Sequence, residues 1–536
     1  MIHERYTRKN RIRPGFRPGL ILFFLVFLLL AACVPPPLPD PTPGVGPPVV
    51  FVHGFQGLSG STGQGCRTVP AVYPAAGYPF GDLPGWFAEQ GYAVWLASYE
   101  TRPSGTPSLA VNGDCIRNQL AYVARQSGGQ PLAVIAHSMG GPVSRAALHG
   151  DGAAFEVSTL VTLGSAHAGL PVDFLAKFPR FLCRTQRGAC ELAFEAVPLF
   201  NAAFPNLPDT AYWFLGGTHG SGLTDWWLRP LVGPNDGLVG AYSAAGLTYP
   251  AGEQDPPGWL GEPAGQVWTD ETHGPVFGAD FAYYLPRPDG AGSAGPSHAF
   301  ACAFAVLAGG PLPVECSAAA LIPAETAAAS PPQYTFVQQL EIGPLTQTEA
   351  AAVQVDSAAT ESGRIVVFWD GPRPEISLNG PGLEGLQPGA PDFDTFGGTG
   401  EIPPFAVYAF SGEGPGVWTL NVASQAETTV AVFAVVESDR ILAVTTDRRA
   451  YPAGGGTIGI TASLTAGGEP LPGGTVWAYL EKNLDTAVEL IFDGRAYTGS
   501  IPVPAEPGPY LLTIAAAAQH KDIFFNRQAD LVIIVE

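Results

Sequence analysis

One serine, Ser138, stands where it could act as a nucleophile, in the stretch AHSMGG at positions 136–141. The apolar run LAVIA before it predicts a buried strand, and the residues after it open a helical pattern. A tight turn from strand to helix exposes the serine hydroxyl and needs small residues two positions away on either side, here Ala136 and Gly140. Such a serine could attack a carbonyl carbon and form a covalent acyl intermediate. The first amides of the helix would stabilise negative charge that develops in the reaction.

The segment around this serine alternates between strand and helix patterns. These patterns occupy, in chain order, residues 48–52 (strand), 83–90 (helix), 92–99 (strand), 114–126 (helix), 132–136 (strand), 140–149 (helix) and 159–163 (strand). Strands that alternate with helices indicate a parallel sheet covered on both faces. The fold class predicted for the first part of the chain is therefore α/β.

The turn at Ser138 resembles the nucleophile elbow of bacterial lipases and esterases with the α/β-hydrolase fold. Ala136 stands where the usual motif has glycine, a replacement that a subset of lipases shares. Four motifs in the family's order carry the resemblance, over about residues 48–310. The resemblance implies a mostly parallel sheet, Ser138 as the catalytic nucleophile, and a catalytic domain that we place at 49–320.

A second motif, FVHGF at 51–55, ends the first predicted strand. It resembles the His-Gly segment of these lipases, where the following residue lends its backbone amide to the oxyanion hole. The resemblance implies that the amides of Phe55 and Met139 stabilise the oxyanion of a tetrahedral intermediate. His53 is then a structural side chain. So is His167, because the stretch TLGSAHAG at 162–169 resembles a loop that follows the next sheet strand in this family.

The acid of a triad is predicted at Asp236. The segment GPNDGLV at 233–239 resembles the aspartate-bearing segment of bacterial triacylglycerol lipases, and it follows a strand pattern at 211–215. Asp236 would fix the tautomer of a histidine and stabilise its charged form. An Asx turn is the alternative interpretation, because Asn-Asp-Gly is also favourable turn chemistry.

The family order of serine, aspartate and histidine places the base downstream of Asp236, where the chain has three histidines. His273 follows a short strand pattern and lies in a loop, as the family's histidine does. His298 opens a helix-like run and remains an alternative, whereas His520 falls in the last β-rich segment. We therefore predict a triad of Ser138, Asp236 and His273 that uses no metal and no other cofactor.

These motifs together predict an enzyme that hydrolyses carboxylic esters through an acyl-enzyme. An apolar, aromatic stretch at about 170–210 lies where the family carries caps or lids, so the expected substrates are lipid esters. Ordinary cap core explains the same stretch equally well. Two alternatives stay open: an acyltransferase or amidase with the same triad, and a catalytically inactive surface-binding lipoprotein. The sequence does not predict an oligomeric state.

The N-terminus has the pattern of an export signal. Residues 1–19 are basic, the apolar run at 20–30 is short for a membrane span, and LAAC follows at 30–33. LAAC resembles the lipobox of bacterial lipoproteins, which implies removal of residues 1–32 and a lipid-modified Cys33 that holds the chain at a membrane. An uncleaved anchor is the alternative. The proline-rich residues 33–48 predict an extended tether, and we expect an extracytoplasmic lipoprotein at the cell surface or in the periplasm.

Cysteine usage agrees with export. Besides Cys33 the chain has six cysteines, all before residue 320, and an even number outside the cytoplasm predicts disulfides. Proximity favours the pairs Cys183–Cys190 and Cys302–Cys316, which leaves Cys66–Cys115. None of the six lies in the CxxC or Cys/His patterns typical of zinc sites.

The formal net charge of −21 excludes one class of partner. A chain this acidic is repelled by phosphate backbones, so we expect no binding to nucleic acid.

After an Ala/Pro-rich linker at 320–333 the pattern changes to short β-type runs separated by Gly and Pro turns. Such runs, without helical periodicity, predict two all-β sandwich domains at 334–436 and 437–536, with the last resembling bacterial immunoglobulin-like modules. This resemblance concerns fold and not activity.

Overall fold

The computed structural model describes most of the chain beyond residue 45. The described residues are 46–55, 66–70, 80, 83–101, 105–150, 154–171, 175–178, 181–218, 228–229, 231–247, 260–269, 273, 298–309, 334–355, 363–380, 383–386, 393–396, 405–410 and 416–536. All of them belong to one compact unit, Thr42–Glu536. The predicted signal peptide, Cys33 and most of the tether lie outside the described residues, as does the linker at 320–333.

A seven-stranded sheet organises the first part of the chain, in the order β2-β3-β1-β4-β5-β6-β7. Six strands run parallel, and β2 pairs antiparallel with β3 at one edge. This confirms the predicted α/β class, and β2 is a strand that the sequence patterns did not indicate. The strands are β1 (Val49–Val52), β2 (Arg67–Pro70), β3 (Val94–Ser98), β4 (Leu132–His137), β5 (Val157–Leu163), β6 (Ala211–Gly217) and β7 (Gly265–Thr269).

Helices pack on both faces of this sheet. They are α1 (Leu83–Glu89), α2 (Leu109–Gln126), α3 (Gly140–Leu148), α4 (Arg187–Cys190), α5 (Val197–Ala203), α6 (Ala241–Ala244) and α7 (His298–Ala308). Alternate residues of β4 enter different apolar clusters: Val134 packs with side chains of α2 and α3, whereas Ile135 packs with those of α1 and α7. Because both faces are covered, the strands are continuous apolar runs, and each fully buried aliphatic side chain contributes about 1.5–3 kcal/mol.

Residues 334–437 form a five-stranded sheet, in the order β13-β14-β10-β16-β8, and a four-stranded sheet, in the order β12-β11-β15-β9. The two sheets share one core, in which Val432 of the first lies in the same cluster as Trp418 of the second. This is the sandwich arrangement of two packed sheets. The strands are β8 (Tyr334–Leu345), β9 (Glu349–Val355), β10 (Gly363–Asp370), β11 (Glu375–Gly380), β12 (Leu383–Leu386), β13 (Phe393–Phe396), β14 (Phe405–Phe410), β15 (Gly416–Ala423) and β16 (Thr428–Glu437).

The last hundred residues form a nine-stranded arrangement around a core of their own. Its longest pair is β24 with β25, which run antiparallel over their whole length. The strands are β17 (Arg440–Thr446), β18 (Ala450–Tyr451), β19 (Thr457–Ala466), β20 (Glu469–Pro470), β21 (Thr475–Leu480), β22 (Asn483–Phe492), β23 (Tyr497–Pro502), β24 (Gly508–His520) and β25 (Ile523–Val535). The all-β character predicted after residue 333 is confirmed, while the predicted domain boundaries remain predictions.

Two of the predicted disulfides, Cys66–Cys115 and Cys183–Cys190, are present. Cys302 is also disulfide-bonded, and its predicted partner Cys316 lies outside the described residues. Within the described part of the chain, no helix is long and apolar enough to cross a membrane.

Candidate active site

Ser138 occupies the sharp turn between β4 and α3. Its φ angle is 53°, a left-handed conformation that residues other than glycine seldom adopt. The turn is held by its backbone: the Ser138 N–H donates to the Leu163 carbonyl at 2.9 Å, and the Gly141 N–H donates to the Ser138 carbonyl at 3.1 Å. This is the strand–turn–helix geometry that the sequence pattern predicted for a nucleophile.

The glycines after the serine are required by close packing. A Cβ atom on Gly140 would lie 2.4 Å from the His53 carbonyl oxygen and 2.7 Å from that of Val52, and a Cβ on Gly141 would lie 2.3 Å from Ser165 Oγ. These separations are too short for real side-chain contacts. The end of β1 therefore passes directly beside the turn, and the chain that leads to Phe55 is next to the nucleophile.

The structure brings Ser138, Asp236 and His273 together. His273 Nε2 lies 2.9 Å from Ser138 Oγ, and His273 Nδ1 lies 2.7 Å from Asp236 Oδ2. Because a carboxylate only accepts hydrogen bonds, Nδ1 carries the proton, and in the neutral ring Nε2 is left to accept from the serine hydroxyl. Both are hydrogen-bond distances, and the one to Ser138 Oγ is short enough for proton transfer from the hydroxyl to the imidazole.

The carboxylate of Asp236 is fixed by its own turn. Oδ1 accepts the N–H groups of Leu238 at 3.0 Å and Val239 at 2.7 Å, which leaves Oδ2 directed at His273. The Asx turn that was the alternative interpretation of this segment is therefore present. It is compatible with the acid role, because the turn is what aims the second oxygen at the imidazole.

His53 is buried and lies beside the main chain at the end of β1. Its Nδ1 donates to the Gly54 carbonyl at 2.7 Å, its Nε2 accepts the Tyr99 N–H at 3.3 Å, and its ring stacks on that of Tyr99 at 4.4 Å. Burial lowers the pKa of His53 from 6.5 to about 4, so the ring is neutral at physiological pH. These contacts fit the structural role predicted for His53, adjacent to the segment that carries Phe55.

The lowered pKa of His53 makes the stability of this region depend on pH. As the pH falls below 6.5, His53 becomes protonated in the unfolded chain but stays neutral in the folded chain until about pH 4. The free energy of unfolding therefore decreases between these two pH values. We expect His53 to account for up to about 3 kcal/mol of that loss. In His53→Gln, whose amide can both donate and accept, urea unfolding between pH 7 and pH 4.5 should show a smaller loss than in the wild type. An equal loss in both proteins would contradict this assignment.

His167 is also buried and neutral, and it organises the loop after β5. Its Nε2 lies 2.9 Å from Thr162 Oγ1, its ring stacks on Phe214 at 4.1 Å, and burial holds its pKa well below the ordinary value, with a further lowering by Arg145. Its carbonyl accepts from Asn201 Nδ2 at 2.6 Å. His167 thus ties the core of the sheet to α5, as a loop organiser would.

Arg145 connects the nucleophile helix α3 to the insert between β5 and β6. It is fully buried, donates to Asn201 Oδ1 at 2.7 Å and to the Phe204 carbonyl, and lies over the ring of Phe200. Burial lowers the pKa of Arg145 to about 9. The insert is therefore held against the helix that begins at the nucleophile.

The insert reaches the neighbourhood of the predicted oxyanion amides. Met139 is the N-cap residue of α3, and a Cβ on Gly188 in α4 would lie 3.5 Å from Met139 Sδ. Several aromatic and aliphatic side chains that made this stretch a lid candidate are buried, namely Leu175, Phe178, Phe181 and Phe200. These side chains form the core of a cap, which was one of the two interpretations of the stretch.

The insert also contacts the C-terminal sheets, which the sequence analysis did not anticipate. Lys177 Nζ lies 2.5 Å from Asp530 Oδ2 in β25, and the ring of Phe178 meets that of Phe368 in β10 at 4.9 Å. At the surface Arg184 pairs with Glu506 at 2.6 Å. The cap is therefore packed between the sheet that carries the site and the β-rich half of the chain.

Comparison with known proteins supports the same architecture. Residues 109–188, which include the nucleophile turn, match the family described as a PGAP1-like alpha/beta domain. A comparison with curated protein sequences finds no match.

Among solved structures, the propeptide form of the lipase BlEst2 from Bacillus licheniformis aligns with 92% of this chain and 95% of its own, at 16% identity and a TM-score of 0.53. The mature form of BlEst2 aligns with 39% of this chain and 83% of its own, at 23% identity and a TM-score of 0.31. EstA from Clostridium botulinum aligns with 44% of this chain and 84% of its own, at 14% identity and a TM-score of 0.28. The likeness to the propeptide form of BlEst2, together with the strand order and the turn at Ser138, establishes that this chain has the α/β-hydrolase fold followed by antiparallel β-sheets.

Proposed function

We propose that this protein is a serine hydrolase that cleaves carboxylic esters through an acyl-enzyme. The observation that carries the proposal is the continuous hydrogen-bonded series from Ser138 Oγ through the His273 ring to the Asp236 carboxylate. This series lies at the carboxyl end of a parallel sheet, where α/β-hydrolases carry their nucleophile. All three residues are at least nine-tenths buried, so the charges that form during the reaction would be weakly screened.

In the proposed reaction His273 Nε2 takes the proton of the Ser138 hydroxyl while Oγ attacks the ester carbonyl carbon. The backbone amides of Phe55 and Met139 stabilise the resulting oxyanion. The C–O bond to the alcohol breaks as His273 returns its proton to the leaving oxygen. A water molecule then attacks the acyl-enzyme by the same route and releases the carboxylic acid, and Asp236 stabilises the imidazolium in both steps.

Lipid esters are the substrate class that we favour. The insert that packs against the nucleophile helix is apolar and aromatic, and it lies where the family that the sequence resembles carries caps or lids. The Bacillus protein with the same fold over nearly its whole length is described as a lipase. The disulfides agree with an extracytoplasmic location, and a lipidated Cys33 would hold the enzyme at the membrane surface where such substrates are found.

A fluorophosphonate probe tests the nucleophile, because it reacts only with an activated serine. We expect the wild-type protein to be labelled and Ser138→Ala to remain unlabelled. Ser158→Ala is a matched control, because Ser158 lies near the start of β5 whereas Ser138 follows the end of the neighbouring strand β4. The Ser158 hydroxyl donates to the Leu132 carbonyl. Labelling of Ser138→Ala, or of none of the three proteins, would contradict the proposal.

A chain-length series of p-nitrophenyl esters tests the substrate class. If lipid esters are the substrates, kcat/KM should rise from acetate to esters of medium or long acyl chains. A preference for acetate with no turnover of longer esters would leave an esterase and rule out the lipid assignment.

A further inference from the structure

We infer that His137 is a positioning residue that holds the base His273 in register with the nucleophile. The inference rests on the proposed function, because it assigns His137 a role through His273. Its Nε2 lies 2.8 Å from the carbonyl oxygen of His273, although 136 residues separate the two in the sequence. His137 lies within the stretch AHSMGG, but that pattern assigns a role only to the serine and to the small residues on either side of it.

His137 is the last residue of β4 and the immediate neighbour of Ser138. Its side chain is buried on the face of the sheet opposite to that of Ala136, with the ring edge-on to Phe80 at 6.4 Å. Its ring centroid lies 4.7 Å from that of His273, with the two planes tilted by 42°. The two consecutive residues 137 and 138 therefore both contact His273, one at its main chain and one at its ring.

The contacts of His273 explain why such an anchor is needed. His273 follows β7, which ends at Thr269, and it lies in a bend outside the strands and helices of the described residues. Its N–H donates to the Asp236 carbonyl at 2.7 Å, and its carbonyl accepts from His137. The residue is thus held on one side by the acid and on the other by the strand that carries the nucleophile.

The direction of this hydrogen bond limits what His137 can do. A carbonyl oxygen only accepts, so Nε2 of His137 must carry the proton. In that state Nε2 has no lone pair to offer the serine, and the group acts as a donor to the main chain. Because the role is that of an N–H donor, the amide of glutamine can replace it, whereas the ring of phenylalanine can fill the space but cannot donate.

Loss of the donor should displace the His273 loop, and a misplacement of about 1 Å in a catalytic geometry costs about 100-fold in rate. We expect His137→Phe to lower kcat by about 100-fold while KM changes by less than about threefold, because His137 acts through the base and not on the bound substrate. His137→Gln should recover kcat to within about tenfold of the wild type. A residue that only filled space would show the opposite order, with phenylalanine tolerated better than glutamine.

A matched control is available at the other end of the nucleophile helix. His149 Nε2 also bonds to a main-chain carbonyl, that of Pro205 at 2.5 Å, but His149 is the C-cap residue of α3, whereas Ser138 precedes its N-terminal end. His149→Phe should therefore leave kcat close to that of the wild type. If His137→Phe fails to fold, as judged by circular dichroism, His137→Asn replaces it, because its shorter amide cannot reach the carbonyl that glutamine reaches.

The inference is overturned if His137→Phe or His137→Asn retains kcat within about threefold, or if His137→Gln is as slow as the folded non-donor variant. Each outcome is separate from failure of the proposed function. A wild-type protein that neither hydrolyses esters nor reacts with fluorophosphonate would end the proposed function, whereas an active wild type with these variant results would remove only the role of His137.

Discussion

If the proposed function holds, replacement of His273 by alanine is expected to lower kcat by about a million-fold, as loss of the catalytic histidine does in subtilisin. The reason is geometric: His273 supplies the nitrogen that lies 2.9 Å from Ser138 Oγ. Without it the hydroxyl keeps its proton at neutral pH and is a weak nucleophile. Steady-state hydrolysis of a p-nitrophenyl ester measures the loss, and fluorophosphonate labelling of the same variant should slow in parallel.

His298→Ala is the control for this measurement, because the sequence left His298 as the alternative base. His298 is the first residue of α7, and the position beside the serine hydroxyl is taken by His273. We expect His298→Ala to retain activity within a few-fold of the wild type. Abolition of turnover in His298→Ala alone would show that the base has been assigned to the wrong histidine.

The features of the site that were predictable are those encoded over a few neighbouring residues. The turn at Ser138 follows from a buried apolar strand and from glycines that have no room for a Cβ. Six consecutive residues, 136–141, are therefore enough to predict it. Asp236 was predicted from the resemblance of its segment to that of bacterial triacylglycerol lipases, and the Asx turn that was the alternative interpretation is present as well. The sequence favoured His273 and left His298 open, because the choice depends on which ring lies beside the serine hydroxyl in the folded chain.

Local patterns also failed where packing replaces periodicity. Helix α2 begins at Leu109 rather than at Asp114, capped by the Ser108 hydroxyl, which accepts the Val111 N–H at 3.2 Å. Its first turns contain Gly113, where a Cβ would lie 2.7 Å from that of Ala146 in α3. The two helices approach so closely that glycine replaces the expected apolar side chain, and the amphipathic pattern disappears there.

The contact between the cap and the last β-sheet had no sequence signal at all. Lys177 and Asp530 are 353 residues apart, and each would be assigned to the surface from its type alone. Both side chains are nevertheless almost completely inaccessible to solvent. A charge in an apolar stretch becomes interpretable only when its partner is known, because isolated buried charges are too costly to persist.

The surroundings of this pair show that both oxygens of the carboxylate accept hydrogen bonds. Asp530 Oδ1 accepts from Thr513 Oγ1 at 2.5 Å, and Oδ2 accepts from Lys177 Nζ and from Gln528 Nε2 at 3.0 Å. Burial alone would raise the pKa of Asp530, but the Lys177 ammonium and these hydrogen bonds together lower it below its ordinary value. The carboxylate is therefore charged in the folded protein, and Lys177 stabilises this charged form.

Lys177→Met should consequently destabilise the protein by about 3–5 kcal/mol, because it leaves a buried carboxylate without its counter-charge. The double variant Lys177→Met/Asp530→Leu should recover most of that loss, since a buried ion pair can be replaced by apolar side chains at little net cost. Guanidinium unfolding of the two single variants and the double variant measures the coupling.

The surface pair Arg184–Glu506, whose side chains are 54% and 68% exposed, provides the comparison, and Arg184→Ala should cost less than about 1 kcal/mol. If Lys177→Met cost no more than Arg184→Ala, the buried pair would not be what holds the cap against the β-sheets, and the apolar contact of Phe178 with Phe368 would have to account for their association.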